Sequence, residues 1–240
     1  SIGGEWKSLK LTPNFEHDLD AMIAAIDSNT KLVYITNPNN PTATSTNKDK
    51  LYKFCDLASK KVPVFVDEAY LEISEGGLQN SMVELISKGR DVIVTRTFSK
   101  IHGMAGMRLG YMIASKERIA QIAAITRGGM GISGPTLNAA MASLDDSKFL
   151  VDCKEKLISN REFTVKMLKS RNFHPLPSST NFIIFKLGDL IEPDKYLRKM
   201  YDHKVSVKVM RFWDSNWCRV SIGKLESMKI FIDVFDHAIT

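Results

Sequence analysis

Cysteine is scarce in this 240-residue chain: Cys55, Cys153 and Cys218 are the whole set, and no two have the CxxC spacing of a redox or zinc motif. Three thiols are too few for a disulfide framework and fit a reducing, cytosol-like compartment. Cys55 and Cys153 fall on apolar helix positions and read as core residues. No apolar run is long enough to span a bilayer. The first residues lack the basic-then-apolar order of a secretory signal, so the expected location is the cytoplasm, away from membranes. His17, His174, His203 and His237 show no ligand spacing, which argues against a metal site. Repeats and low-complexity segments are absent. A large excess of one charge is also lacking: 33 Lys and Arg stand against 27 Asp and Glu, a net +6. The densest basic cluster, Lys48, Lys50, Lys53, Lys60 and Lys61, lies on one helix-like segment. It reads as a solvated helix face, and no nucleic-acid partner is expected.

What the chain does contain is an alternation of strands and helices. "KLVYIT" (31–36), "VPVFV" (62–66) and "DVIVT" (91–95) are short, β-branched and apolar, so they read as strands. Thr46 or Asn47 caps a helix to about Lys60, with Leu51, Phe54, Cys55 and Ala58 on one face. Ser115 caps another, with Ile119, Ile122 and Ala123 inward. This order predicts an α/β fold, a largely parallel sheet flanked by helices. A long helical pattern follows from about Ser147 to Ser170. Beyond it "NFIIFKL" (181–187), "KVSVKV" (204–209) and "CRVSI" (218–222) read as strands, and Leu225, Met228, Ile232, Phe235 and Ile239 mark a last helix. The expected division is a large domain over 1–146 and a smaller α+β domain over 147–240.

Chemistry-bearing residues collect after the first three strands: Asn37 to Thr42, Asp67 to Tyr70, and Thr97 to Lys100. In an open α/β sheet ligands bind beyond the carboxyl ends of the strands, so these three sets share one rim. Asp67 is a carboxylate that is costly to bury without a partner. Lys100 follows a strand and two hydroxyl residues, and a partly buried lysine is a Schiff-base nucleophile. Thr97, Ser99 and Arg108 supply the donors of a phosphate cradle. A carboxylate for a ring nitrogen, a phenol and an amide for a ring oxygen, a lysine for an aldehyde and an anion cradle together describe pyridoxal 5′-phosphate.

The segments "NPNNPT", "VFVDEAY", "TFSKIHGMAGMRLGY" and "CRVSIG" resemble those of the class I/II aminotransferases of fold type I, and within them most closely histidinol-phosphate aminotransferases. The resemblance runs across nearly the whole chain in the right order. It implies that Lys100 binds the cofactor aldehyde and later shuttles a proton. It implies that Asp67 pairs with the pyridinium nitrogen, that Asn40 and Tyr70 bond the phenolic oxygen, and that Thr97, Ser99 and Arg108 hold the phosphate. Arg219 would bind the substrate's anionic group, with Arg211 and Arg127 as rivals. His102 reads as a loop residue outside the acid–base chemistry. The implied reaction is transamination between histidinol phosphate, or a related amine, and 2-oxoglutarate/glutamate, in a homodimer. A phosphothreonine-type decarboxylase and a non-catalytic, ligand-sensing module of the same fold are the alternatives.

Two departures stand out. The family-like turn usually ends in glycine, whereas here "NPNNPTA" puts Ala43 there, a strained choice if the position needs positive φ. Only 36 residues precede Asn37, where such enzymes carry roughly a hundred or more, given usual domain sizes. The chain therefore reads as N-terminally incomplete. An incomplete large-domain sheet with an open edge and association with another chain or segment are the expectations.

Overall fold

The computed structural model describes residues 3–126, 131–188 and 191–239. After the short helix α1 (Leu19–Ala24) come β1 (Val33–Thr36), α2 (Lys48–Ala58), β2 (Val64–Asp67), α3 (Val83–Ser87), β3 (Val92–Thr97) and β4 (Gly110–Ile113). The sheet order is β1-β2-β3-β4, the first two pairings parallel and the last antiparallel. Alternation gives each strand two faces. Val33, Ile35, Val64, Val66, Val92 and Val94 point to one of them and form a core with Leu51, Phe54, Cys55 and Ala58 of α2 and with Met82 and Leu85. Asn47 caps α2, its Oδ1 accepting from the N–H groups of Asp49 and Lys50 at 3.0 and 3.2 Å. The opposite face carries Tyr34 beside Phe65, Thr36 beside Asp67 and Asp67 beside Thr95. That face turns polar toward the carboxyl ends of the strands.

Helices α4 (Lys116–Ile125), α5 (Gly134–Asp145) and α6 (Ser147–Lys169) lead to a second sheet. It has the order β5-β7-β6, all antiparallel, from β5 (Phe182–Lys186), β6 (Lys208–Phe212) and β7 (Ser215–Ser221). Its core packs Ile183, Phe185, Cys218 and Val220 against α7 (Pro193–Asp202) and α8 (Leu225–Ile239), through Tyr196, Met200, Phe231 and Phe235. Each such ring or aliphatic chain contributes about 1.5–3 kcal/mol on burial. The other face of this sheet presents Phe182, Ile184 and Trp217 to Ala43, Tyr70 and Ile73, which joins the two sheets.

Several elements differ from the sequence reading. β4 and α5 carry no strong local pattern and were not expected. The strand expected over 204–209 forms at Lys208–Phe212, because Lys204 adopts a left-handed φ of 64° where α7 ends and the strand is set by its hairpin with β7. Ser115 does cap α4, but Ile119 is exposed and no residue of that helix is buried, since no described element covers its apolar side. Cys153 is only half-buried on α6, whereas Cys218 lies in the core of the second sheet. Burial pushes the thiols of Cys55 and Cys218 up to about 12, so both are inert core groups. Among the described residues no helix is long and apolar enough to cross a membrane.

Candidate active site

The turn after β1 is built by its own polar side chains. Thr36 Oγ1 donates to Asn39 Oδ1, and Asn39 Nδ2 donates to Thr42 Oγ1 at 2.8 Å. Thr42 and Thr44 share a hydroxyl bond at 2.7 Å, and Thr44 donates to the Phe15 carbonyl at 2.6 Å. Asn37 Oδ1 accepts from the Thr46 N–H at 2.8 Å. Asparagine and threonine satisfy this buried backbone where no ladder continues. Asn40 is left facing outward, exposed at the tip. Ala43 is fully buried at φ 66°, so the departure from glycine falls where the backbone is left-handed. The alanine costs about 1 kcal/mol or more there. His17 braces the same turn, its Nε2 lying 2.8 Å from the Thr36 carbonyl, and burial lowers its pKa so that it is neutral at pH 7.

Asp67 ends β2 with its Oδ1 accepting from the Ala69 N–H at 2.9 Å and its Oδ2 from the Tyr34 hydroxyl at 3.2 Å. Glu68 turns the other way, 2 % exposed, and takes the Ser81 hydroxyl, the Met82 N–H and Arg96. Tyr70 is buried edge-on to Phe182, and Lys100 Nζ stands 4.8 Å from the Tyr70 ring centroid. Thr97 Oγ1 accepts from the Ser99 N–H at 3.0 Å, turning the chain sharply off β3 toward Lys100. Gly110 faces Thr97 on β4, and a Cβ there would meet the Arg96 carbonyl at 2.7 Å, so only glycine lets β4 approach. Arg108 has a left-handed φ of 53° and donates Nη1 to the Ala105 carbonyl at 2.8 Å. His102 is buried behind the loop, Nδ1 2.8 Å from Ser143 Oγ and Nε2 3.4 Å from Glu72 Oε1, tying the loop to α5 and to the turn after Tyr70.

A cleft of about 1940 Å³ lies along this rim. Asn40, Asp67, Tyr70, Thr97, Ser99, Lys100 and Arg108 all line it. Arg219 does not line the cleft but borders it, donating Nη1 to Asn40 Oδ1 at 3.3 Å with its Cζ 3.8 Å over the Phe182 ring. Of its rivals, Arg211 pairs with Asn216 three register steps away, on the opposite face of the sheet from Arg219, and Arg127 lies outside the described residues.

Three features escaped sequence reasoning. Tyr34 reaches Asp67 from a neighbouring strand. Lys208 stands directly opposite Arg219 in the β6–β7 ladder. Phe212 and Trp213 line the cleft from the hairpin tip, where Trp213 and Asp214 are left-handed at 48° and 54°. All three depend on pairing between strands. The one local signal was the aromatic-rich "RFWDSNW".

The profile of the family described as "Aminotransferase class I and II" matches residues 1–235. The chain belongs to that family. Among curated class I and II relatives, it is 38 % identical over 186 residues to histidinol-phosphate aminotransferase 1 of Bacillus cereus, covering 78 % of this chain and 50 % of the relative. It is 34 % identical over 230 residues to histidinol-phosphate aminotransferase 2 of Methylococcus capsulatus, covering 95 % of this chain and 61 % of that one. The chain thus spans about half to three-fifths of these relatives. The solved histidinol-phosphate aminotransferase of Sinorhizobium meliloti, in complex with pyridoxal-5′-phosphate, superposes with a TM-score of 0.88 at 27 % identity, covering 99 % of this chain and 65 % of that chain. The mostly parallel sheet with flanking helices is the fold type I aminotransferase architecture.

Proposed function

We propose that this chain is part of a histidinol-phosphate aminotransferase that binds pyridoxal 5′-phosphate and exchanges an amino group between histidinol phosphate and the 2-oxoglutarate/glutamate pair. The observation that carries the reading is the convergence of an amine, a carboxylate and a hydroxyl–guanidinium set on one cleft at the strand ends. That donor set fits the cofactor. Thr97, Ser99 and Arg108 offer two hydroxyls and a guanidinium to its phosphate, Asp67 a carboxylate to its ring N–H, and Asn40 with Tyr70 an amide and a phenol to its ring oxygen. When bound, pyridoxal phosphate supplies an aldehyde that captures amines and a protonated ring that accepts the electron pair released at the α-carbon.

The chain's own residues do the rest. Lys100 Nζ is the amine that joins the aldehyde. Freed by an incoming donor, the same amine would be the base that holds and moves the proton of the donor's α-carbon. The Tyr70 ring face steadies that ammonium between steps. Asp67 keeps the ring nitrogen protonated. Arg219 and Lys208 place two cations side by side across one ladder. Like charges directly opposite destabilise a sheet, so the pair suits an anionic ligand. The phosphate of the amino donor takes that place in one half-reaction and a glutamate carboxylate takes it in the other. A homodimer in the cytoplasm, with the large and small domains meeting near residue 147, completes the reading.

The test is amino transfer itself. Full-length enzyme given histidinol phosphate and 2-oxoglutarate should form glutamate, and unphosphorylated histidinol should be about tenfold or more poorer as donor. Release of CO₂ from an amino acid without glutamate formation would contradict the proposal.

A further inference from the structure

The two oxygens of Asp67 are held in different ways. Oδ1 takes the backbone N–H of Ala69, a bond that any residue but proline at 69 supplies. Oδ2 takes the hydroxyl of Tyr34, which only that side chain supplies. The Tyr34 ring is itself held in place: it stacks on Phe65 at 5.3 Å and meets the Trp6 edge at 5.8 Å. Tyr34, Phe65 and Asp67 share the sheet face that turns polar toward the strand ends, and Trp6, Tyr34 and Asp67 line the cleft. Burial and the nearby Asp67 charge raise the phenol's pKa, so it remains a proton donor through the neutral range.

We infer that Tyr34 is a positioning residue: its hydroxyl fixes the plane of the Asp67 carboxylate and so decides which lone pairs face the ring nitrogen of a bound pyridoxal phosphate. This role rests on the cofactor reading above. With donors bonded to both oxygens the carboxylate has one orientation. With Ala69 alone it turns about a single bond, and the oxygen facing the cleft is no longer preset.

Tyr34→Phe separates this role from simple packing, because it keeps the ring stack and removes only the hydroxyl. Tyr34→Leu removes both. In the cofactor-free protein, the ¹³C signal of the Asp67 carboxyl, assigned with Asp67→Asn, should shift in Tyr34→Phe. Equilibrium dialysis with pyridoxal phosphate should show binding weakened about three- to tenfold in Tyr34→Phe, as for one solvent-edged hydrogen bond to a carboxylate. The urea unfolding midpoint of that variant should stay at the wild-type value, and only Tyr34→Leu should lower it. Tyr34→Phe that binds the cofactor within twofold of wild type overturns the inference. Wild type that binds no pyridoxal phosphate, while the Asp67 signal still moves in Tyr34→Phe, overturns the cofactor reading and this role with it. The carboxyl signal shows in that case that the contact itself is intact.

Discussion

Replacing Arg96 by methionine tests the buried anchor beneath the cleft. The Glu68 carboxylate directly follows Asp67 and is 2 % exposed, and the Arg96 side chain is 11 % exposed at 3.1 Å from it. Ser81 and the Met82 N–H supply its other bonds at 2.8 Å each. Burial still outweighs these partners and holds the Glu68 carboxyl above its ordinary range. Arg96→Met removes the cation and leaves the carboxylate inside, a loss of about 3–5 kcal/mol for a broken buried pair. That is a large share of the roughly 5–15 kcal/mol by which a domain is stable. Protonation of Glu68 caps the loss. A carboxyl whose folded pKa is raised contributes its stability below the ordinary carboxylate pKa and loses it as pH rises through the raised value. The defect should therefore be near its full size at about pH 8 and shrink to roughly 1–2 kcal/mol at about pH 5. The double variant Arg96→Met with Glu68→Gln should recover about 1–3 kcal/mol relative to the sum of the singles at the higher pH. Urea denaturation at the two pH values measures each term. A pH-independent defect, or additive singles, would refute a charged pair that acts as a unit.

Three further outcomes follow from the geometry. Ala43→Gly relieves a left-handed alanine by about 1–2 kcal/mol but loses a buried methyl and adds chain entropy of similar total size. Its unfolding midpoint should therefore stay near wild type, while Ala43→Val should cost about 2 kcal/mol or more. His17 is neutral and buried, so the unfolded chain takes up its proton first. Stability should fall as pH drops below the ordinary imidazole value of 6.5, and His17→Gln should remove that part of the fall in urea titrations. Lys208→Met should raise the KM for histidinol phosphate about tenfold or more and change that for an unphosphorylated donor little, as steady-state kinetics on full-length enzyme would show.

Much of this molecule is legible in its sequence, and the boundary is physical. Val33, Ile35, Val64, Val66, Val92 and Val94 announce their strands because alternation is a local property, and Asn47 announces α2 because capping is local too. Asp67, Lys100, Thr97 and Ser99 stand out because polar chemistry follows an apolar strand directly. Cross-strand register is invisible to such reading. Tyr34 meets Asp67 from 33 residues away, and Lys208 faces Arg219 only once the hairpin closes. The same limit moved the strand from 204–209 to Lys208–Phe212, because β7 decides which residues of that run are paired. α4 failed in the other direction. Ile119, Ile122 and Ala123 predict an inward face, yet Ile119 and Ala123 are exposed, since burial depends on a neighbour and not on the helix's own pattern.

The central claim is that Lys100 is the amine that holds the cofactor, and borohydride trapping tests it most directly. Full-length protein is incubated with pyridoxal phosphate, reduced, digested and mapped by mass spectrometry. The account predicts a reduced pyridoxyl group on Lys100, with visible absorption before reduction that is missing in Lys100→Ala. Modification spread over Lys7, Lys10 and Lys31, which line the same cleft, with Lys100 unlabelled, would contradict it.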